Sequence, residues 1–405
     1  MTTFVIVGGG LAGAKAAETL REEGFDGAVV LFGAEPERPY ERPPLSKGYL
    51  QGNDERDSVF VHPQAWYAEH DVDLRAGVTV DAINPAGHTV EYNGATQPYD
   101  KLLLATGASA RSIDIPGTDL DGVFYLRTLE DSERLRSVLG DRRRVVVIGA
   151  GWIGLETAAA AQQAGGSVTV VEPQPVALLA ALGPELGGMF TDLHRSRGVQ
   201  FLFGETAKEI HGDASRRVGS VVTSGGTVIP ADVVVVGVGA VPNDGLASAA
   251  GLEVSNGVLA DAALRTSNPD IYAAGDVANW FNPLFGRRIR VEHWGNALIG
   301  GPAAARSMLG KDVTYDPVPY FYSDQYDLGM ECAGLPSPGS YDQVVYRGDR
   351  EGMEFIAFWV SGGRLIAGMN VNVWDVTDDI QALIRSGREL DAGRLANPEI
   401  PLPEV

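Results

Sequence analysis

Thr3-Phe4-Val5-Ile6-Val7-Gly8-Gly9-Gly10-Leu11-Ala12-Gly13 and Arg144-Val145-Val146-Val147-Ile148-Gly149-Ala150-Gly151-Trp152-Ile153-Gly154 decide how this chain folds. Each begins with a β-rich apolar run, passes through a glycine turn and opens a helical pattern. Each satisfies G-x-G-x-x-G directly after a strand. In such a turn the first glycine permits the tight bend. The second lets backbone approach a pyrophosphate, and the third lets helix and strand pack closely. Phosphates then sit at the helix N-terminus, where unpaired N–H groups and the dipole favour an anion. The first turn continues into a predicted helix over Ala12–Glu22 and a strand over Ala28–Phe32. The second continues into a helix over Leu155–Ala164 and a strand over Ser167–Val171. The same βαβ unit therefore occurs twice, at a spacing far too long for a solenoid repeat. Two fingerprints ask for two dinucleotides, and the economical pair is a bound flavin, FAD, and a diffusing nicotinamide, NAD.

Acids at the ends of the second strands refine this reading. Glu172 lies 23 residues after Gly149, near the spacing of about 20 expected of a carboxylate that holds a ribose 2′-hydroxyl. It would repel a 2′-phosphate, and no arginine stands in Val171-Glu172-Pro173-Gln174-Pro175, so the pattern favours NAD over NADP. The plainer alternative is an exposed acid at a strand end. Glu35 lies 27 residues after Gly8; it reads either as the FAD ribose acid or as a solvated loop residue. Three more apolar runs end in turns: Lys101–Ala105 into Thr106-Gly107, Asp232–Val238 into Gly239-Ala240, and Ile271–Ala274 into Gly275-Asp276. Ligands of open α/β sheets bind at such carboxyl ends. From about Asp316 the texture changes to short alternating runs, Pro319–Tyr322, Gln343–Arg347, Phe355–Val360 and Arg364–Asn370, with a helix near Asp375–Arg388. That is a third domain built on an antiparallel sheet. The tail after Ala396, with three prolines, is expected to be extended.

Composition narrows the function. A chain of 405 residues with 44% hydrophobic and 21% charged residues is globular, with a prior of two or three domains. Glycine is in excess, 51 residues, without a collagen period. With 32 basic and 53 acidic residues the net charge is −21, the opposite of a nucleic-acid binder's field. One cysteine, Cys332, excludes both a disulfide framework and a redox-active Cys-x-x-Cys pair. The N-terminus reads as strand, without a basic n-region. The longest apolar stretch, Val233 to Val241, is about half of the ~20 residues a membrane span needs. A soluble, cytoplasmic protein is expected.

Both fingerprints, together with Ala105-Thr106-Gly107 and Ala274-Gly275-Asp276, resemble the two-dinucleotide flavoprotein disulfide reductase superfamily. Arg42-Pro43-Pro44-Leu45-Ser46-Lys47, Tyr125-Leu126-Arg127-Thr128 and Tyr322-Ser323-Asp324-Gln325-Tyr326 resemble its NADH-dependent ferredoxin reductases. Those enzymes serve bacterial cytochrome P450 systems and Rieske-type dioxygenases. The resemblance spans essentially the whole chain. It implies α/β architecture: an FAD domain in two segments (1–110 and 241–316), an inserted NAD domain (111–240) and a small α+β C-terminal domain (317–405). Thioredoxin, glutathione and lipoamide reductases need a redox disulfide, and related NADH peroxidases and oxidases need an N-terminal catalytic cysteine. This chain has neither, so electrons pass directly from flavin to an outside acceptor. Cys332 reads as a packed thiol.

The resemblance also assigns residues. FAD would be held by Gly8, Gly10, Leu11, Ala12, Gly13, Ala34, Glu35, Arg42, Pro43, Lys47, Val80, Ala105, Thr106, Gly107, Arg127, Gly275, Asp276 and Trp294. NAD would be held by Gly149, Gly151, Trp152, Ile153, Gly154, Glu156, Glu172 and Gly239. Lys47 is implied to pair with Glu156 beside the flavin, where hydride from NADH arrives at N5. Trp294 would stack on the ring and conduct electrons outward; its alternative is core packing. Lys47 alone would read as a solvated loop lysine, and Glu156 as a first-turn acid favoured by the helix dipole. The expected acceptor is a [2Fe-2S] ferredoxin, taking single electrons twice. Such ferredoxins are acidic, so a chain of −21 needs a local basic patch, and Arg287, Arg288 and Arg290, just before the flavin-side Trp294, are the candidates, with Tyr322 as a further docking residue. The same run reads alternatively as a basic strand edge. Tyr322 stands where relatives often carry tryptophan, and Glu331 where some carry lysine. No metal site is assigned, and either a monomer or a homodimer fits. Two other functions remain open: an NADH-dependent flavoprotein reducing a rubredoxin or a small molecule such as monodehydroascorbate, and a redox sensor resembling apoptosis-inducing factors.

Overall fold

The computed structural model describes residues 1–140 and 142–405. They form two compact units. The first comprises Met1–Glu41, Arg56–Ser109 and Ala240–Tyr320; the second comprises Arg42–Glu55, Ala110–Gly239 and Phe321–Val405.

The first unit is built on the strand Thr3–Val7. Its four apolar residues are buried, because a parallel strand covered on both faces reads as a continuous apolar run. Ala28–Gly33 pairs with it on one side and Lys101–Leu104 on the other, both parallel. Val72–Ala76 and Ile271–Ala273 complete the sheet at its edges. The chain goes first one way and later the other from Thr3–Val7, so the strand order reverses between Thr3–Val7 and Lys101–Leu104. A crevice opens at the carboxyl ends of such a pair. Gly8 and Ala105-Thr106-Gly107 lie there.

The second unit repeats the plan. Arg144–Ile148 is flanked by the parallel strands Ser167–Glu172 and Val233–Val236, with Gln200–Phe203 and Val123–Tyr125 outside them. Four strands keep the same relative order, but the outer strand Val123–Tyr125 precedes the fingerprint in the chain, where its counterpart Ile271–Ala273 comes last in the first sheet; the reversal falls at Gly149 and the turn after Val236. The helix here is Trp152–Gln163, three residues earlier than its apolar periodicity suggests. Gly151 is its N-cap, so Trp152-Ile153-Gly154 forms the first turn and not a loop.

The C-terminal sheet, also in the second unit, has the order Tyr320–Gln325, Leu328–Gly334, Arg364–Val371, Glu354–Ser361, Gln343–Asp349, antiparallel from Leu328–Gly334 onward. The expected fold class, two Rossmann-like halves and an antiparallel C-terminal domain, is borne out. Leu328–Gly334 is a strand that the sequence reading missed. Leu328, Met330 and Cys332 alternate inward, but Gly329 between them and Ala333 and Gly334 after them carry little β preference. The helix there is Thr377–Ser386, shorter than expected. The tail closes with a 3₁₀ turn over Leu402–Glu404 that buries Leu402 and Val405; apolar burial overrides the extended preference of its prolines.

His194, on the helix Pro184–Ser196, is fully buried. Burial lowers its pKa to about 4, against a smaller upward pull from Gln325. In an unfolded chain a histidine titrates near ~6.5. Between that value and 4 the unfolded chain takes up a proton that the native chain refuses. Stability is therefore expected to fall as pH drops through this window, by at most roughly 3 kcal/mol from this residue, and to be insensitive to it above. Thermal midpoints from pH 4 to 8 check this: His194→Gln flattens that part of the slope.

Candidate active site

The turn Gly8–Gly13 forms a cradle that side chains would fill. Gly8 has φ +130°, and a Cβ there would run into the Ala105 carbonyl oxygen. Gly10 caps the helix Leu11–Glu22 with no side-chain hydrogen bond, and a Cβ on it would meet nothing within 4 Å. The helix therefore starts with no side-chain cap, no acid in its first turn and free space beside Gly10, which suits a phosphate at its N-terminus. The second unit matches it: Gly149 has φ +100°, its Cβ would lie 2.5 Å from the Gly237 carbonyl oxygen, and Gly151 is an uncapped N-cap. Gly239, beyond the reversal point, has φ +103°. On these grounds both cradles fit a dinucleotide.

Each cradle has an acid beside it. Glu172 is the last residue of its strand, and its carboxylate accepts from the Ala150 N–H (2.8 Å) and the Gln174 N–H (2.9 Å). Two backbone donors thus fix it beside the fingerprint. Glu35 lies two residues past the corresponding strand and accepts from the Tyr40 hydroxyl, so it is not a free loop acid; Ala34 before it is exposed. Val80 is buried in the core of the first unit. Thr106 is fastened by a residue that the sequence reading missed. Asn243 Nδ2 donates to the Thr106 carbonyl (2.8 Å), Thr106 Oγ1 donates to the Asn243 carbonyl (2.7 Å), and the Asn243 N–H donates to Gly107 O (2.9 Å). Nothing local marks Asn243, because its partners Thr106, Gly107 and Ser109 lie 134 or more positions away in sequence. Gly275 and Asp276 begin a 3₁₀ turn after the strand Ile271–Ala273.

Lys47 and Glu156 meet in the second unit. Lys47 Nζ lies 2.8 Å from Glu156 Oε1, with 14% and 3% of the two side chains exposed. Local structure explains the approach. Pro43 starts a 3₁₀ turn over Pro43–Ser46, Leu45 is buried, and the Leu45 carbonyl accepts from Ser132 Oγ (2.8 Å) on the helix Leu129–Val138. That turn swings Lys47 toward the helix Trp152–Gln163, where Glu156 stands on the second turn. Glu156 also accepts from Ser46 Oγ and, at 2.6 Å, from Ser323 Oγ. Three donors on one buried carboxylate hold it in one place. Arg42 donates to the Arg127 carbonyl, and the Arg127 N–H to Asp131 (3.2 Å), the N3 residue of the capping box begun by Thr128. Lys47 Nζ lies 5.3 Å from the Tyr322 ring centroid, on the wall of a cleft of about 310 Å³.

A family model described as pyridine nucleotide-disulphide oxidoreductase matches residues 2–301, and one described as reductase C-terminal matches 320–405. The ferredoxin–NAD(+) reductase component of an anthranilate 1,2-dioxygenase system from Burkholderia cepacia is 41% identical over 401 residues, 98% of each chain. The ferredoxin reductase subunit of a 5,5′-dehydrodivanillate O-demethylase from Sphingobium sp. is 38% identical over 99% of this chain and 97% of that one. Among solved structures, the covalent putidaredoxin reductase–putidaredoxin complex superposes with a TM-score of 0.96, at 35% identity over 100% of this chain and 97% of that one. The chain belongs to the pyridine nucleotide-disulphide oxidoreductases, in their ferredoxin-reductase branch. It is an NADH-dependent flavoprotein reductase, with FAD and NAD(H) as its cofactors.

In this reductase the remaining expected residues fall as follows. Trp152 packs against Phe190 and Phe321 (centroids 5.5 and 5.1 Å), so its side chain serves the core, while Ile153 is exposed. Trp294 is half-buried at the start of the helix Trp294–Met308, whose N-cap is His293. Burial lowers the His293 pKa to about 4, so it is a neutral residue. The three arginines on and beside the hairpin are unequal. Arg288 donates to the carbonyls of Ala260 (2.6 Å) and Asn279 (3.2 Å). Arg290 donates to the Asp276 carbonyl (3.1 Å) and pairs with Glu292 (2.7 Å). Arg287 is exposed on the strand Arg287–Ile289. Glu331 accepts from Asn370 (2.9 Å) and Thr377 (2.8 Å), a structural use of that acid. Cys332 is fully buried and burial raises its pKa, which makes it an inert thiol. No described helix is long and apolar enough to cross a membrane.

Proposed function

We propose that this reductase passes electrons from NADH to a small [2Fe-2S] ferredoxin serving an oxygenase, and that the Lys47–Glu156 pair is its electrostatic centre. Overall, one NADH gives two electrons, one to each of two ferredoxins, and releases one proton. Bound FAD would supply the conversion between hydride and single-electron chemistry. The chain's own residues do the rest. The Gly8–Gly13 and Gly149–Gly154 turns seat two pyrophosphates at helix N-termini. Glu172 takes a ribose hydroxyl and turns away a 2′-phosphate. Lys47 holds a fixed positive charge where negative charge develops on reduction, and Glu156 keeps that lysine in place. Trp294 lines the flavin, and Arg287 is the arginine of the patch available to an acidic partner.

The single observation that carries this reading is the buried Lys47–Glu156 pair in a chain whose only cysteine is an inert core thiol. With no thiol to relay electrons, the acceptor must be external. Steady-state kinetics test it. The kcat/KM for a [2Fe-2S] ferredoxin is expected to exceed that for monodehydroascorbate at least tenfold, and Arg287→Glu to raise the ferredoxin KM several-fold at low salt with kcat unchanged. A higher kcat/KM for the small molecule would overturn the reading.

A further inference from the structure

Glu156 is the end of a longer chain of buried side chains, each member of which fixes the next. A carboxylate carries no proton, so Ser323 Oγ, 2.6 Å from Glu156 Oε1, must be the donor. Having spent its only hydrogen, that hydroxyl accepts from Gln325 Nε2 at 3.1 Å. The other end of the Gln325 amide is then its oxygen, 2.7 Å from His194 Nε2, which must carry the hydrogen. His194 Nδ1 is therefore bare and accepts from the Tyr326 hydroxyl at 3.2 Å. Every hydrogen bond from Tyr326 to Glu156 points toward Glu156.

The sequence builds this economically. Ser323 and Gln325 are two residues apart on the strand Tyr320–Gln325 and so face the same way, inward. Tyr322 and Asp324, alternating with them, line the Lys47 cleft. Tyr326 has φ +60°, which turns the chain off the strand. Its ring reaches the same cleft, and its hydroxyl reaches His194. Glu156, His194, Ser323 and Gln325 are each at most 3% exposed. An amide does not hop protons readily, so Gln325 makes this an orienting chain and not a proton wire.

We propose that His194 and Gln325 are positioning residues for the redox centre: through Ser323 they aim a hydroxyl at Glu156 and so hold Lys47 in place. This rests on the reading of the Lys47–Glu156 pair given above. It assigns a role in the reaction to two residues that stand 38 and 169 positions from Glu156 in sequence. The neutral state of His194 agrees with it, since a second ring hydrogen would reverse the Tyr326 bond.

Rapid-mixing measurement of flavin reduction by NADH in the holoenzyme tests the proposal. Ser323→Ala and Gln325→Leu are each expected to slow reduction about tenfold, less than the loss from removing a donor that touches the reacting atoms. The ferredoxin KM stays at its wild-type value. The double variant is expected to be no slower than Ser323→Ala alone, because Gln325 acts through Ser323. In a Glu156→Gln background neither substitution slows reduction further. Nitrogen NMR of histidine-labelled protein gives a readout independent of turnover: the signals lost in His194→Gln are those of a ring protonated at Nε2 and bare at Nδ1. Wild-type reduction rates in Ser323→Ala and Gln325→Leu, additive losses, or an Nδ1-protonated ring would overturn the proposal. A wild-type rate in Glu156→Gln alone would instead overturn the reading of the ion pair on which it rests.

Discussion

Lys47→Met is expected to slow NADH-dependent bleaching of the flavin by about a hundredfold while leaving FAD bound. The substitution keeps an unbranched side chain of nearly the same length and removes its charge. What remains is the Glu156 carboxylate, 3% exposed and still facing Ser46 and Ser323. A buried charge stripped of its partner costs stability as well, about 3 kcal/mol by comparison with other broken buried pairs, so the thermal midpoint falls too. The two effects are separable. If Lys47 served stability alone, the midpoint would fall with little change in the rate of bleaching. If it were a solvated lysine, neither would move.

The second large effect concerns the first cradle. Gly8→Ala is expected to give a colourless protein, read as loss of the flavin absorbance relative to that at 280 nm. At φ +130° an alanine is strained, and its methyl group would occupy the place of the Ala105 carbonyl. The apo chain should therefore melt lower than wild-type apoprotein. Gly10→Ala separates cofactor binding from folding. Its Cβ meets nothing of the chain within 4 Å, so the apoprotein should melt like wild type. Yet the methyl stands at the uncapped helix end where a phosphate must approach, so FAD affinity should fall by two orders of magnitude or more. Retention of FAD by both variants would remove the first cradle from the account.

Much of this was legible in the sequence because its signals are local. A β-rich run, three spaced glycines and an apolar helix sit within some twenty residues, and their physics is short-range. Both Rossmann halves follow from that. The Lys47–Glu156 pair was legible only by resemblance, since no periodicity links a loop lysine to a helix acid 109 positions later. Three features were not legible. Leu328–Gly334 hides as a strand because its small residues carry weak β preference. Arg288 and Arg290 read as surface charge until their carbonyl partners are seen. Asn243 and the His194–Gln325 chain depend on side chains brought together from more than a hundred positions apart. Such contacts are set by the assembled fold, and each residue alone has an ordinary polar reading.

In the proposed function one flavin, unaided by any thiol, stands between NADH and an external acceptor. Anaerobic titration of the holoenzyme with NADH tests it most directly. Complete reduction of the flavin at one NADH per FAD is expected, followed by full reoxidation on adding two equivalents of oxidised [2Fe-2S] ferredoxin. An unchanged flavin spectrum, or uptake of a second NADH equivalent by a further redox group in the chain, would contradict it.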